Sequence, residues 1–418
     1  MKKQILLIIA LLMSVGIAKS QSTNELQVLA KKAYTSVDYK KAHSLYSSLD
    51  SVMPDLYFYD LWYYYVSAEI VDYYYPEVVV DSAKIESLLY RLVQSDGVER
   101  SWFYTSFCDN IKLRERTYWP QIDSLISVTE NNRCQPFIDS LAAMVELDQS
   151  VRNMEWTEET MKLAEVVDST NTAKLKQLIE QYGFPTWKLV GQYGQMNAWT
   201  IAQHSSDYLP HFLKQYRKAV EENNATRREL AYLEDRYLIE NDSLQIYGTQ
   251  FLYNVKDSTA YLYATVDMEH LDDRRISVDL NPMDEYLKRA QLGNVDLYTD
   301  AKIRAITSFD TLAKFLDSGS CHLFGNNHIK KLISKKAETL TKDDYQDFFS
   351  WLFKQVETGN YHLFDYAELY DEVHYRLFKT SYYGQKDFGK KVRIYKPKQL
   401  ESRRSEIKLQ SLELISNE

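Results

Sequence analysis

Glycine and proline are scarce in this chain of 418 residues, with twelve of one and eight of the other. Turn-rich sheets need both, so long helices are expected to dominate. Cysteine is scarcer still. Cys108, Cys134 and Cys321 make an odd count, which excludes a fully paired framework, although export would permit one bridge. Cys108 with Cys134 is the favoured pair because the two share a domain; three free thiols are the other reading. Positive charge is in deficit, with 50 Lys and Arg against 59 Asp and Glu. An acidic body has no electrostatic footprint for nucleic acid. Residues 386–408 are locally basic, with nine Lys and Arg, and read as a solvated terminal face rather than a binding patch. Beyond the first twenty residues no apolar run could span a membrane. The central region has no Gly-rich phosphate loop, nucleophile elbow or Cys–His arrangement, so the familiar enzyme classes and their cofactors are not implied.

What is present begins with an address. Lys2-Lys3, the apolar run Ile5 to Ala18, and Ala18-Lys19-Ser20 before Gln21 have the layout of a secretory signal peptide cut after Ser20. An uncleaved anchor is the competing reading, but the run is shorter than the ~20 residues that span a bilayer. Cleavage removes three Lys and no acid, taking the formal charge from −9 to −12. The expectation is an exported protein, periplasmic or secreted, with no membrane insertion after cleavage. The remainder is 45% hydrophobic and 14% aromatic by whole-chain composition, enough for two or three cores at ~100–200 residues per domain.

Residues 21–138 read as helical hairpins, opened by a capping box at Ser22-Thr23-Asn24-Glu25. The string Ala33-Tyr34-x4-Tyr39-x2-Ala42-x2-Leu45-Tyr46 resembles a tetratricopeptide repeat, with further helices over Leu56–Val71 and Asp81–Gln94 and the Leu113-Arg114 and Trp119 signals of a terminal tail. About one and a half repeats are recognisable, and stacking usually needs three. The tyrosines at 57, 59, 63 to 65 and 73 to 75 fit either packing between helices or an exposed groove for a protein partner.

From 139 to 292 the signals change. A helix carrying Leu175, Leu178 and Ile179 should stop at Gly183, with Pro185 behind it. The next should bury Ala198, Ile201 and Ala202 and end near Gln203-His204. Thr226-Arg227-Arg228-Glu229 reads as a capping box opening the helix that carries Asp235-Arg236. Phe251, Tyr253 and Val255 then face Tyr261, Tyr263 and Thr265 across Lys256-Asp257-Ser258, a β-hairpin pattern. The ordered motifs Met144-x3-Asp148-Gln149-x2-Arg152, Gly183-Phe184-Pro185, Val190-Gly191, Gln203-His204-x2-Asp207, Tyr232-Leu233-x-Asp235-Arg236, Tyr247-Gly248-Thr249-Gln250, Asp273-Arg274-Arg275 and Glu285-Tyr286-Leu287 resemble the uncharacterised bacterial family known as domain of unknown function 6624. The departures are Phe184 where Trp is usual and Glu234 inside the Tyr-Leu-x-Asp-Arg motif. The resemblance implies a shared fold and polar site, and brings no activity with it.

Sliding the chain against itself by 136 residues aligns Phe212–Gly248 with Phe348–Gly384 without a gap. Asp235 meets Asp371, Gly248 meets Gly384, and Arg274-Arg275 is echoed by Arg403-Arg404. The region 293–418 is therefore read as a degenerate second copy, against a C-terminal helical extension whose likeness is chance. Residues alike in both copies are expected to hold the fold. Those filled only in the first, such as His204 where the second has Leu340, are expected to carry chemistry.

The fold class is thus mainly α (α+β): a helical-hairpin domain, then a helical domain with a small β-hairpin. His204, Asp207 and Asp235 are the catalytic candidates, an imidazole with a carboxylate to orient it. Gln203, Arg152, Arg236, Tyr247, Gln250, Arg274 and Arg275 are the ligand-binding candidates, the guanidinium groups suiting a small anionic ligand. Each has a plainer reading: a hydrogen-bonded histidine at a helix end, ion pairs tying helices together, and an ordinary i,i+4 pair for Asp148 and Arg152. No metal is expected, because His322 and His328 beside Cys321 lack further ligands. The functional expectation is a binding or scaffold protein with a polar site in the central domain. The alternative is a hydrolase or transferase using His204 as general base, Asp207 or Asp235 as its partner and an Arg as anion clamp.

Overall fold

The computed structural model describes residues 23–155, 157–254, 259–290, 294–318, 326–386, 388 and 392–409. The signal-peptide region, Ser22 of the first capping box, the loop of the expected hairpin, and Cys321 and His322 lie outside the described residues. The fold is mainly helical with one small sheet. The chain divides into two compact units. One holds the chain up to Glu240 together with Asp267–Tyr286; the other holds Asn241–Val266 and the chain from Leu287 onward.

The first unit opens with α1 (residues 23–35), α2 (Tyr39–Val52), α3 (Phe58–Tyr74), α4 (Ser82–Val93), the short α5 (Ser106–Asn110) and α6 (Trp119–Asn131). Side-chain caps set the starts: Asp38 accepts from Lys41 N–H and Asp81 from Ala83 N–H, satisfying amides that a helix leaves orphaned. Tyr57, Tyr64 and Tyr65 are buried between these helices, while Tyr73 and Tyr74 are about half exposed at the end of α3. The second stretch runs through α7 (Gln135–Arg152), α8 (Glu158–Tyr182), α9 (Trp187–Ala202), α10 (Leu209–Glu221) and α11 (Arg227–Glu240). Gly183 ends α8 at φ 94°, and Ala198, Ile201 and Ala202 are buried as the sequence indicates. The two stretches share a core. Trp187 is fully buried among the residues of the first helices, its ring 5.3 Å from that of Phe58. Cys108 and Cys134 are free, so the favoured bridge is absent. Cys108 is buried with its thiol against Thr105 and the Trp102 carbonyl, while Cys134 N–H donates to the Leu189 carbonyl at the start of α7.

Buried charge ties the unit together. Asp60 of α3, with no exposed surface, receives Lys31 Nζ at 3.5 Å, Arg227 at 3.5 Å and the Gln27 amide at 2.5 Å. Lys31 also meets Asp279 at 2.8 Å. Inside α9, Gly191 sits at φ 70°, a conformation that L side chains rarely adopt, and a Cβ there would lie 2.7 Å from Arg133 Nη1. The kink lets Gln192 N–H donate to Glu99, which Arg133 pairs from the other side. After Asp267 come α12 (Leu271–Ser277) and α13 (Met283–Arg289).

In the second unit β1 (Phe251–Asn254) and β2 (Thr259–Leu262) pair antiparallel, Asn254 opposite Thr259, as the alternation suggests. A third strand, β3 (Asn294–Asp296), pairs parallel to β2 and has no clear sequence signal at three residues. Asp300 of α14 (Thr299–Arg304) accepts the Ala264 N–H at 2.7 Å and also bonds Asn326, which caps the later helix α16 (Asn327–Glu338). Between them lies α15 (Phe309–Asp317), and α17 (Tyr345–Thr358), α18 (Leu363–Phe378) and α19 (Leu400–Glu406) complete the unit.

Several geometries recur in the order of the sequence echo, at its spacing of 136 residues up to Gly248 and Gly384 and at 129 beyond them. Gly248 and Gly384 sit at φ 64° and 68°. Asp235 and Asp371 are both fully buried, as are Arg275 and Arg404. Parallel bridges join Gln245 to Thr265 and Ser381 to Ile394. Leu280 N–H donates to Arg275 O at 2.9 Å, and Leu409 N–H to Arg404 O at 2.8 Å. Asp371 shows what such a carboxylate does: it accepts four backbone N–H groups, from Tyr382 and Tyr383 at 2.6 Å on one oxygen, and from Gln385 and Lys386 on the other. Arg404 closes the same loop through the Tyr383 carbonyl at 2.7 Å. Asp371→Ala would leave four amides unanswered; a loss of about 2–4 kcal/mol in urea unfolding is expected, with Asp371→Asn intermediate.

Candidate functional site

The polar site of the first unit is assembled by four helices. On α7, Asp148 and Arg152 are one turn apart, and Arg152 Nε meets Asp148 Oδ1 at 3.0 Å. Asp148 is 1% exposed and takes a second bond from the Gln149 amide at 2.7 Å. Helix α8 packs against α7, anchored where the Asn171 amide reaches the Met144 carbonyl at 3.2 Å. That packing brings Asp168 to Arg152 Nη2 at 2.6 Å. Arg152 therefore bridges two carboxylates, one buried and one at the edge of a cleft. Burial pushes the Asp168 carboxyl up, against the pull of Arg152.

His204 lies in the turn after α9, whose last residue is Ala202. Gln203 caps that helix, donating its N–H to Trp199 O at 3.0 Å. Burial lowers the His204 imidazole to about 4, and Arg152 and Arg236 of α11 push the same way, with Asp148 opposing them. The ring is therefore neutral near pH 7. Among the described residues neither of its nitrogens has a hydrogen-bond partner in the protein. It borders a cleft of about 430 Å³ whose wall also includes Asp168, Thr172, Lys176, Ser206 and Asp207. Lys176 rests its ammonium 5.0 Å above the Tyr208 ring. Ser206 reaches Glu240 at 3.4 Å, and Arg236 acts on the same carboxyl.

The structure thus gathers Arg152, His204, Asp207 and Arg236 about one cleft, within contact or electrostatic reach. The His204–Asp207 acid–base pair is not formed. Asp207 is exposed on the cleft wall, and no hydrogen bond joins it to the imidazole, which answers to Arg152, Asp148 and Arg236 instead. Asp235 is fully buried and is not hydrogen-bonded to His204. Arg274 is engaged with Asp267, through its carbonyl at 2.8 Å and its carboxylate at 3.5 Å. Arg275 is buried, donating to Asn281 O at 2.6 Å with its guanidinium 4.9 Å from the Tyr286 ring. Tyr247 and Gln250 belong to the second unit, where Gln250 N–H donates to the Gln245 side chain at 3.0 Å. Sequence reasoning passed over Asp168, Thr172 and Lys176, which lie on α8 at helical spacing but inside no motif.

Residues 136–295 match the model of DUF6624, a family of unknown function. The DUF6624 segment contains every member of the cluster: Asp148, Arg152, Asp168, His204, Arg236 and Glu240. The two departures noted in the sequence lie within the matched residues but outside the cluster. Phe184 packs at a tilt against Phe212, ring centres 5.0 Å apart, and Glu234 pairs with Arg217 at 3.0 Å. No curated protein and no solved structure matches the chain.

The depressed imidazole has a measurable consequence. Between its folded value near 4 and the ordinary 6.5, the unfolded chain binds more protons at His204 than the folded one, so stability falls as pH drops through that window and is unaffected above it. His204→Gln should flatten this limb by about 2–3 kcal/mol in urea unfolding compared between pH 7 and pH 4. The imidazole proton shifts should show a neutral ring down to pH 5.

Proposed function

We propose that the protein is an exported binding or scaffold protein whose DUF6624 segment takes a small ligand bearing an anionic group. The observation that carries this reading is the neutral His204 ring, with both nitrogens uncommitted, beside an open cleft and within the field of two guanidinium groups. A ring held neutral can donate to or accept from a ligand, and Lys176 with the hydroxyls of Thr172 and Ser206 supplies further donors. The leader-like first twenty residues support export to the periplasm or the medium. The tetratricopeptide-like helices before residue 138 are the surface for a polypeptide partner, with the half-exposed Tyr73 and Tyr74 as its aromatic anchors.

The repeated buried aspartate, buried arginine and left-handed glycine support the region 293–418 as a second copy of the central domain, kept for its architecture. Where the first copy has His204 the second has Leu340, 3% exposed, so no imidazole faces solvent at that position. The hydrolase or transferase alternative keeps the neutral imidazole as a base, but lacks a carboxylate hydrogen-bonded to His204 from either Asp207 or Asp235, and is the weaker reading.

Thermal unfolding of the mature protein with inorganic phosphate, and separately with citrate, at pH 7.5 tests the binding reading. One anion should raise Tm in a saturable way, reaching about 2.7 kcal/mol of stabilisation at a hundredfold excess over Kd. His204→Ala should abolish the rise. No saturable rise with either anion, or an equal rise in the variant, would remove the assignment.

A further inference from the structure

A separate cavity of about 250 Å³ in the first unit shares no lining residue with the His204 cleft. Rings from Tyr59, Trp102, Tyr193 and Tyr216 line it, and two carboxylates, Glu99 and Glu229, face it. Its mouth is marked by Tyr193 and Met196, 60% and 46% exposed.

Almost every polar group in the wall is already answered. The Tyr59 hydroxyl donates to Gln192 Oε1 at 2.9 Å, and the Gln192 amide donates to Gly97 O at 2.6 Å. The Tyr216 hydroxyl donates to Gln195 Oε1 at 3.2 Å, and the Gln195 amide reaches the Pro185 and Asn224 carbonyls at 3.0 Å. Glu99 has Arg133 at 2.8 Å and the Gln192 N–H at 2.9 Å.

Glu229 is the exception. The sequence reads it as the return half of a capping box, but only the forward half exists: Glu229 N–H donates to Thr226 Oγ1 at 3.1 Å. Its side chain does not turn back to Thr226 N–H. Oε2 is instead buried with no hydrogen-bond partner. Burial pushes this carboxyl up, opposed by the field of Arg228 and by the residue's own backbone N–H. A carboxylate oxygen inside a protein is costly without a donor, which favours a ligand that brings an N–H or a positive charge.

We propose that this cavity is a second binding site, taking a small primary ammonium whose N–H bonds the Glu229 carboxylate while its carbons lie against Tyr59, Trp102 and Tyr193. An anionic ligand would meet two carboxylates. A neutral one would supply a donor without the charge. An ammonium supplies both, and aromatic walls attract it further through their ring quadrupoles. The two sources of such a group are a free amine and the lysine side chain of a peptide. The site is independent of His204.

The test is isothermal titration on the full mature chain with n-butylammonium, with Nα-acetyl-lysine amide and, as the uncharged control, n-butanol. At least one ammonium should bind saturably, and butanol about ten-fold more weakly or not at all. The lysine derivative identifies a peptide side chain as the source; butylammonium alone identifies a free amine. Glu229→Gln, which keeps the side chain's size and an amide oxygen as acceptor and should fold normally, is expected to weaken binding about ten-fold, and Tyr193→Ala at the exposed mouth about three-fold. His204→Ala should bind as the parent does. No saturable binding of either ammonium, binding of butanol as tight as theirs, or undiminished binding by Glu229→Gln would overturn the proposal.

Discussion

A carboxylate taken out of water has to be answered, and this protein answers several of them in different ways. Asp60 is met by Lys31, Arg227 and Gln27; Asp148 by Arg152 and Gln149; Glu99 by Arg133 and a backbone amide; Asp371 by four backbone amides. Except at Asp148, whose partners lie within one turn of its own helix, the partners come from segments distant in sequence or from a whole loop. The answering groups therefore fix how helices and turns are placed. Partnerships of this kind add little net stability over an apolar core, but removing one member is expensive. They therefore specify which arrangement forms more than they deepen it.

The two candidate sites are departures from that rule, in opposite senses. At His204 the nearby charges are satisfied among themselves, and burial, helped by the field of two guanidinium groups, holds an uncommitted ring neutral. At Glu229 the rule is broken outright, by an oxygen with no partner. Native interiors rarely leave such a group, and when they do it is often where a ligand is received.

Helices were legible because their punctuation is local. Gly183 ends α8 through a conformation that costs glycine little, Asp38 and Asp81 cap their helices, and Asp148 with Arg152 follows from the pitch alone. The gathering of Arg152, His204 and Arg236 was legible only as an ordered string of motifs. What escaped was non-local or contrary to a local rule. Asp168 is brought in by helix packing, and β3 is too short to announce itself. Cys108 and Cys134 suggested a bridge, yet both are free. Glu229 was hidden by a plausible capping box, since a sequence pattern cannot show that the carboxylate does not turn back to Thr226.

The division of the chain carries a consequence for how the protein comes into being. The backbone passes between the two compact units three times, after Glu240, Val266 and Tyr286. Lys31, near the start, is answered by Asp279, so the first described helix waits for nearly the last segment of its own unit. An emerging chain cannot finish one unit before starting the other. No single cut will release either as a complete piece.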